Sequence, residues 1–201
     1  MNLPQRPHRN HLLGICVLGL CAGCLLFSGL YIHAKAQLAQ VLLERSWSHT
    51  LSGNGIKRVK PWPWADTYPV ARMSVPRLGW HAIILNSTSG QALAFGPGHQ
   101  SQSALPGAYG NSVIAGHRDT HFKMLASLKL GDPIAIEQAD GTLVEYVVSD
   151  TAVVHERDIG VALALDDLAL TLVTCYPFEA RVPGGPLRFV VRAIAKTGEL
   201  S

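Results

Sequence analysis

The sequence predicts a mainly β domain, either a barrel or a sandwich, preceded by one membrane-spanning helix. Beyond residue 67 the chain consists of short apolar stretches, several with period-two alternation, separated by Gly, Pro, Asn and Asp. This pattern is typical of short strands joined by turns. No long amphipathic helix alternates with these stretches, which disfavours a parallel α/β sheet. An uncharged apolar run near the N-terminus supplies the membrane helix.

The individual strands can be read from the apolar stretches and the breaks between them. Glycine and proline mark the breaks, as in Gly96-Pro97-Gly98 and Pro183-Gly184-Gly185-Pro186, because these residues interrupt regular structure. Ala92–Phe95 and Phe122–Leu128 are predicted as one or two helical turns each. The predicted strands are Pro69–Val75, His81–Asn86, Asn111–Gly116, Asp132–Glu137, Leu143–Val153, Leu170–Cys175 and Leu187–Ala195.

Composition narrows the class of protein. A chain of 201 residues has room for one ordinary domain and an appendage, and its 48% hydrophobic and 15% charged residues exclude disorder. The net charge of +3 is not gathered into a basic stripe, so nucleic-acid binding is not expected. The four cysteines form neither a disulfide framework nor a zinc pattern.

The run from Leu12 to Ile32 carries no charge, and about 20 apolar residues are enough to span a bilayer. Arg6 and Arg9 precede it without an acidic residue, which favours a cytoplasmic N-terminus. A signal peptide cleaved near Ala34-Lys35-Ala36, or a lipoprotein site at Cys24, is the alternative, but the run is long for either. We therefore expect a cytoplasmic segment (1–11), a transmembrane anchor (12–32), a stalk with a Pro/Trp-rich linker (33–67) and a domain outside the cytoplasm (68–201).

The segment between anchor and domain has two parts. Leu38, Val41 and Leu42, with Trp47 as a further member, have helical spacing, so the anchor is expected to continue as a short helical stalk that ends at Gly53-Asn54-Gly55. Lys60-Pro61-Trp62-Pro63-Trp64 follows and predicts a stiff extended linker. Its tryptophans either lie on the domain surface or pack into the domain.

Three polar residues stand at the ends of predicted strands, where scaffolds often present catalytic groups. His117 follows one strand, Cys175 ends another and Arg188 begins the last. A cysteine thiolate attacks an amide carbonyl, a histidine protonates the leaving amine, and an arginine stabilises the oxyanion. The combination predicts acyl transfer through a thioester.

Each of these residues also has an ordinary structural interpretation. A lone strand cysteine is usually a small buried apolar residue, a histidine after a strand is often a turn residue, and strand arginines are often solvated. His117 and His121 would bind a metal if they shared a helix face, but Gly116 disfavours a helix there. An unpaired thiol outside the cytoplasm is open to oxidation, which favours a functional role for Cys175. Arg188 and Arg192 share a strand face, and the position at the strand start favours Arg188.

Three segments resemble the sortases, which are membrane-anchored cysteine transpeptidases of bacteria. The family's Thr-Leu-x-Thr-Cys signature is matched by Thr171-Leu172-Val173-Thr174-Cys175, and the His–Cys–Arg order is matched by His117, Cys175 and Arg188. Papain-like proteases have the cysteine before the histidine, so they fit less well. The contexts Gly-His-Arg-Asp-Thr and Thr-Cys-Tyr-Pro-Phe look most like class D sortases, and the Pro/Trp-rich linker looks like the proteobacterial (GN) type.

The resemblance implies a closed eight-stranded β-barrel with short helices. It implies that Cys175 attacks the threonine carbonyl of an LPxTG-like motif at the C-terminus of a secreted protein, while His117 transfers protons and Arg188 holds the substrate or the oxyanion. The thioacyl group would pass to an amine acceptor of the cell envelope or of another protein. Asp119 and Thr174 are candidate support residues, and the loop 176–186 is a candidate wall of the substrate groove.

No cofactor or metal is expected, since no acidic cluster in the sequence calls for one. Some sortases bind calcium near the groove, and Glu156, Asp158, Asp166 and Asp167 keep that alternative open. Two other functions also compete with the transpeptidase. One is a thiol endopeptidase that resolves the same thioester with water, and the other is a non-catalytic membrane-tethered β-barrel that binds a partner.

Overall fold

The expected closed barrel is the fold of this chain. The structure is a computed structural model that describes residues 8–53, 58–158, 160, 167–180, 182 and 184–196, without the side chains of residues 8–12, 32 and 33. Among these residues eight strands close in the order β1-β2-β3-β4-β7-β8-β6-β5. They are β1 (Pro69–Val75), β2 (Trp80–Leu85), β3 (Gly98–His99), β4 (Asn111–Ala115), β5 (Pro133–Gln138), β6 (Leu143–His155), β7 (Ala169–Tyr176) and β8 (Leu187–Ala195).

The helical elements are few and, apart from the first, short. They are α1 (His8–Ser52), α2 (Gly90–Leu93) and two 3-10 segments, η1 (Pro76–Leu78) and η2 (His121–Ser127). The Ser89 side chain accepts a hydrogen bond from the Ala92 amide at the start of α2, as expected of a serine N-cap. Both short helical turns predicted from the sequence are present, displaced by one or two residues.

Strand prediction was correct in most places and wrong in one. β1 and β8 have the predicted bounds, and the other predicted strands differ by one or two residues at their ends. β3 was missed, because a two-residue strand is too short for alternation to reveal and Gly98 was assigned to a break. A glycine is required at this position, since a Cβ on Gly98 would lie 2.0 Å from the Ser87 carbonyl oxygen.

The barrel interior is filled by alternate residues of the strands. Ala71, Met73 and Val75 of β1 are fully buried and the residues between them are only half-buried, which is the period-two pattern of a strand with one face in the core. Other strands contribute to the same cluster, together with two residues of η2. These further members are Ile84, Ile114, Phe122, Leu125, Ile134, Ile136, Tyr146, Val148, Leu170, Leu172, Val191 and Ala193.

Among the described residues, α1 is the one helix long and apolar enough to cross a membrane, over Leu13–Ser52. Contacts divide the described residues into two compact units, with the boundary between Gln40 and Val41. Within the second unit, Leu43 and Trp47 of α1 pack against Ile83 and Leu85, and the Trp47 indole donates a hydrogen bond of 2.9 Å to Glu137. The last turns of α1 therefore belong to the domain's own packing.

Of the two tryptophans in the linker, one packs into the domain and the other lies on its surface. Trp62 is half-buried and makes an edge-on contact with Phe95, with ring centroids 5.1 Å apart. Trp64 is 80% exposed. Gly53 follows α1 and its amide bonds to carbonyls of the last turn, while Asn54 and Gly55 of the predicted helix stop lie outside the described residues.

Candidate active site

The strand directions bring His117, Cys175 and Arg188 to one end of the barrel. β4 and β7 are parallel neighbours, so the segments that leave their C-terminal ends emerge at the same edge. β8 runs antiparallel to β7, so its first residues lie at that edge as well. The end of β4, the end of β7 and the start of β8 are therefore adjacent.

The register between β4 and β7 sets the height of His117 relative to Cys175. Ala115 pairs with Val173. His117 lies two positions after Ala115, and Cys175 lies two positions after Val173. The Gly116 amide donates to the Val173 carbonyl at 3.1 Å. The buried Thr174 hydroxyl donates to the Gly116 carbonyl at 2.7 Å, so a support residue expected from the sequence ties the two segments together just before His117 and Cys175.

The register between β7 and β8 distinguishes the two arginines of β8. Arg188 is the partner of Cys175 in the ladder, whereas Arg192 is the partner of Thr171. Residues directly opposite in an antiparallel pair have their Cβ atoms about 5 Å apart. Arg188 is thus at the level of the thiol, and Arg192 is four residues away from that level.

Cys175 and Arg188 lie on the face of the sheet that is turned away from the barrel interior. Val113, Val173 and Val190 form a separate apolar cluster on the face opposite the barrel interior. Alternation puts Cys175 on the face of Val173 and Arg188 on that of Val190, while His117 lies in the turn two residues beyond the end of β4. His117 is exposed and Cys175 is half-buried, so solvent and substrate can reach both from outside the barrel.

Local packing fixes the backbone of His117. A Cβ on the preceding Gly116 would lie 2.7 Å from the ring of Phe122, which is fully buried in the barrel core. The Phe122 amide donates to the His117 carbonyl at 3.0 Å. The turn after β4 therefore requires glycine before the histidine and a core aromatic five residues after it.

Arg188 is held by hydrogen bonds on its own side of the site. Its guanidinium donates to the Glu156 carboxylate at 2.7 Å and to the carbonyls of Gly185 and Leu187 at 2.6 and 2.9 Å. Arg192 instead donates to Asp150 at 3.2 Å. The arginine beside the thiol thus has a carboxylate partner at the end of β6 and backbone partners in the β7–β8 loop.

The expected support residue Asp119 is bonded to Arg118. Its two carboxylate oxygens accept from the Arg118 guanidinium at 2.8 and 3.1 Å. These hydrogen bonds lower the pKa of Asp119 against the raising effect of burial, and the charge of His117 acts in the same direction as Arg118. Asp119 is therefore an anion whose direct partner is Arg118.

Arg118 itself was not recognised from the sequence as part of the site. It is buried, and its guanidinium donates to the carbonyls of Pro177 and Ala180 at 2.8 and 2.9 Å. Its place directly after His117 was the only signal, and a charged residue after a strand usually indicates a solvated turn. The carbonyls that receive it come from a loop about sixty residues later in the chain.

The described residues contain no candidate metal site: among them, no group of three His, Cys, Asp or Glu side chains is placed to hold an ion. His121 is half-buried at the start of η2, and its pKa is lowered by burial and then by the charge of nearby His117. Asp166, part of the calcium alternative, lies outside the described residues.

A cavity of about 740 Å³ opens beside the site, between η2 and the β7–β8 loop. Its polar lining includes Arg118, Asp119, Lys123 and Glu179. Aromatic contacts stabilise the start of the β7–β8 loop beside this cavity. Phe178 packs edge-on against both Tyr176 and Phe189, at centroid distances of 6.1 and 5.2 Å. The described part of the 176–186 loop thus forms a wall at this end of the barrel.

The structure is thus a closed barrel with candidate residues Cys175 and Arg188 paired across two strands and His117 just beyond the end of a third. Residues 73–196 match the family model described as the Sortase domain. This match covers more than half of the chain. The chain therefore belongs to the sortase family, as the sequence motifs predicted.

Individual relatives agree with this membership. Sortase D of Bacillus subtilis (strain 168) is 30% identical over 120 residues, which is 59% of this chain and 60% of the relative, and this similarity fits the predicted class D. The chain thus matches less than two thirds of that relative's length. Sortase A from Corynebacterium diphtheriae has a TM-score of 0.59 and 26% identity, covering 81% of this chain and 86% of its own. A Clostridium perfringens Sortase D5 transpeptidase shares the fold, with a TM-score of 0.64 at 23% identity over 80% of this chain and 99% of its own.

Proposed function

We propose that this protein is a membrane-anchored cysteine transpeptidase that cleaves an LPxTG-like C-terminal sorting motif of secreted proteins and transfers the acyl group to an amine. The observation that carries the proposal is the register of three neighbouring strands: Arg188 is the ladder partner of Cys175, and β4, which precedes His117, ends beside β7 at the pair Ala115 and Val173. Membership of the sortase family supports it.

The first half-reaction forms a thioester on Cys175. The thiolate attacks the carbonyl carbon of the motif's threonine, and the electron pair of the C=O bond moves to oxygen. When the tetrahedral intermediate collapses, the C–N bond breaks and His117 gives a proton to the leaving amine. Arg188, opposite Cys175 in the ladder, supplies a permanent cation with forked donors for the oxyanion or the substrate backbone.

The second half-reaction releases the acyl group to the acceptor. The acceptor amine attacks the thioester carbonyl, His117 takes a proton from it, and the C–S bond breaks to regenerate the Cys175 thiolate. The exposure of His117 supports this step, because the histidine must meet first a leaving amine and then an incoming one. Peptidoglycan or another protein subunit would supply the amine.

The anchor and the orientation of the domain complete the proposal. The apolar part of α1 spans the cytoplasmic membrane once, with residues 1–11 in the cytoplasm and the barrel outside it. The arginines before the helix support this orientation. The barrel would then meet secreted substrates at the membrane surface.

The products of cleavage separate the transpeptidase from its two rivals. The full-length protein in detergent is incubated with a mixture of Leu-Pro-x-Thr-Gly peptides, with and without an added amine such as triglycine, and the products are identified by mass spectrometry. We expect an amide-linked product that appears only with the amine. A purely hydrolytic product under both conditions would support the thiol endopeptidase, and no cleavage would support the binding module.

A further inference from the structure

Arg118 makes an unusually complete set of hydrogen bonds for a buried arginine. Its side chain is only 3% exposed, and burying a charge is costly unless it is paired and hydrogen-bonded. Nε and Nη2 donate to the two oxygens of Asp119, Nη1 donates to the Pro177 carbonyl, and Nη2 donates also to the Ala180 carbonyl. One planar group thus bonds to three residues in two separate loops.

These two loops are the ones that carry the candidate catalytic residues. Arg118 and Asp119 come directly after His117, and Pro177 comes two residues after Cys175. The regular pairing of β4 with β7 ends at Ala115 and Val173. Beyond it, the Gly116 amide and the Thr174 hydroxyl make the last strand contacts. Arg118 then connects the chain after His117 to the chain after Cys175 by its own side chain.

We infer that Arg118 is a positioning residue, which holds the loop after Cys175 against the loop after His117 and so fixes the thiol and the imidazole in their reactive arrangement. The inference rests on the proposed function. Acyl transfer needs that arrangement, because a displacement of about 1 Å between reacting groups can cost about a hundredfold in rate. A guanidinium suits the role, since its rigid fork fixes direction as well as distance.

A purely electrostatic role is the competing explanation. The pKa of Arg118 is raised, first by its hydrogen bond to Asp119 against the lowering effect of burial, and electrostatic interactions with Asp119, Cys175 and Glu179 act in the same direction as that hydrogen bond. Lysine separates the two explanations. Arg118→Lys keeps the positive charge but loses the fork, so it removes the connection between the loops without removing the cation.

Arg77 provides a matched control. It also makes a forked ion pair, with both oxygens of Asp132 at 2.6 Å, and it donates to the Ser127 carbonyl at 2.6 Å. It joins η1 to the last residue of η2 and to the segment before β5, and these contacts involve neither Pro177 nor Ala180 of the loop after Cys175. Arg77→Lys therefore breaks a comparable clamp elsewhere in the barrel.

The test compares full-length wild type, Arg118→Lys and Arg77→Lys in detergent, well below the Tm of each. Three quantities are measured: kcat and KM for thioacyl formation from a mixture of Leu-Pro-x-Thr-Gly peptides, and the rate of Cys175 alkylation by iodoacetamide, which requires no proton transfer to a leaving amine. For Arg118→Lys we expect kcat to fall at least about tenfold while KM and alkylation stay within about threefold of wild type. Arg77→Lys should retain all three.

The outcomes are distinct. The inference is overturned if Arg118→Lys acylates at the wild-type rate, if Arg77→Lys loses as much kcat, or if alkylation falls in parallel with acylation.

If Arg118→Lys does not fold, Asp119→Asn is the deciding variant. Asp119 is exposed, and its substitution weakens the hydrogen bonding that holds Arg118. A lower kcat at constant KM supports positioning, and an unchanged kcat overturns it. Failure of the proposed function looks different, since wild type itself would then form no adduct, and the inference would fall with it.

Discussion

Cys175 and Arg188 are partners across the antiparallel ladder of β7 and β8, so the candidate nucleophile and one candidate stabilising cation are fixed relative to each other by main-chain hydrogen bonds. A regular ladder is among the more rigid ways to hold two side chains. His117, in contrast, follows the end of its strand, and its position depends on Gly116, Phe122 and Thr174. The backbone positions of Cys175 and Arg188 are therefore set by the sheet, the Arg188 guanidinium is held by Glu156 and two carbonyls, and the backbone of His117 is set by the packing of a turn.

Replacing Arg188 by lysine tests whether the arginine opposite the thiol is the functional one. Lysine keeps the charge but not the fork, and loss of a preorganised donor to an oxyanion costs about a hundredfold in kcat. We expect a loss of this order in kcat/KM for Arg188→Lys, measured by peptide cleavage.

Arg192→Lys is the matched control for this substitution. It lies on the same face of β8, four residues further from the thiol, so its kcat/KM should stay close to that of wild type. Equal losses in the two variants would show that the register does not determine which arginine acts.

Thr174→Val tests the tie between β7 and the turn that carries His117. The substitution leaves the buried Gly116 carbonyl without its hydroxyl donor, at a cost of about 1–3 kcal/mol in the free energy of unfolding. We expect kcat to fall at least about tenfold, because the backbone next to His117 loses a fixed contact.

Thr171→Val separates this effect from general destabilisation. Thr171 is also buried in β7, and its hydroxyl donates to the Asn111 side chain at 2.8 Å, near the opposite end of the strand. Urea unfolding should show similar losses of stability in both variants, while peptide cleavage should be impaired only in Thr174→Val. Similar kcat values in the two variants would contradict the assigned role of Thr174.

The ion pair of Arg77 and Asp132 predicts a pH dependence of stability. Hydrogen bonding to Arg77 lowers the pKa of the buried Asp132 below its ordinary value of 3.8, against the raising effect of burial. The pair's contribution to stability is therefore present above about pH 4 and is lost as pH falls through the lowered pKa of the folded state. The unfolding free energy should decline more steeply from about pH 5 to about pH 2 in wild type than in Asp132→Asn. Parallel profiles for the two proteins would contradict this assignment.

Labelling of Cys175 tests the orientation of the protein in the membrane. In a variant whose α1 cysteines Cys16, Cys21 and Cys24 are alanine, a membrane-impermeable maleimide should label the half-buried Cys175 from outside the cytoplasm. In the same background, the variant that carries Gln5→Cys and Cys175→Ala should react only after lysis. The reverse pattern would place the barrel in the cytoplasm.

Sequence patterns predicted the parts of this molecule that depend on local order. The alternation in Pro69–Val75 and Leu187–Ala195 gave both bounds of β1 and β8, because each strand buries one face. The two-residue β3 had too little alternation to be seen. The order of strands around the barrel depends on pairings between distant segments. From the residues alone, both a barrel and a sandwich were compatible with the predicted strands. The closed barrel was predicted from the family resemblance.

Sequence patterns also predicted only part of the candidate site. His117, Cys175 and Arg188 could be named from residue type and position at strand ends, and their motifs matched a family. The choice between Arg188 and Arg192 required the register of β8 against β7. Arg118 could not be found, because its burial depends on carbonyls of Pro177 and Ala180, and no pattern near Arg118 indicates them.

Detection of a thioacyl adduct on Cys175 tests the central claim most directly. Full-length wild type is quenched in acid during reaction with Leu-Pro-x-Thr-Gly peptides, and the adduct is located by intact-mass and fragment analysis. The three cysteines of α1 serve as internal controls, and Cys175→Ala as the negative control. The account predicts an acyl mass ending at the threonine, attached to Cys175 alone and absent from Cys175→Ala. Cleavage of the peptides by Cys175→Ala at the wild-type rate, or an adduct on any other residue, would contradict it.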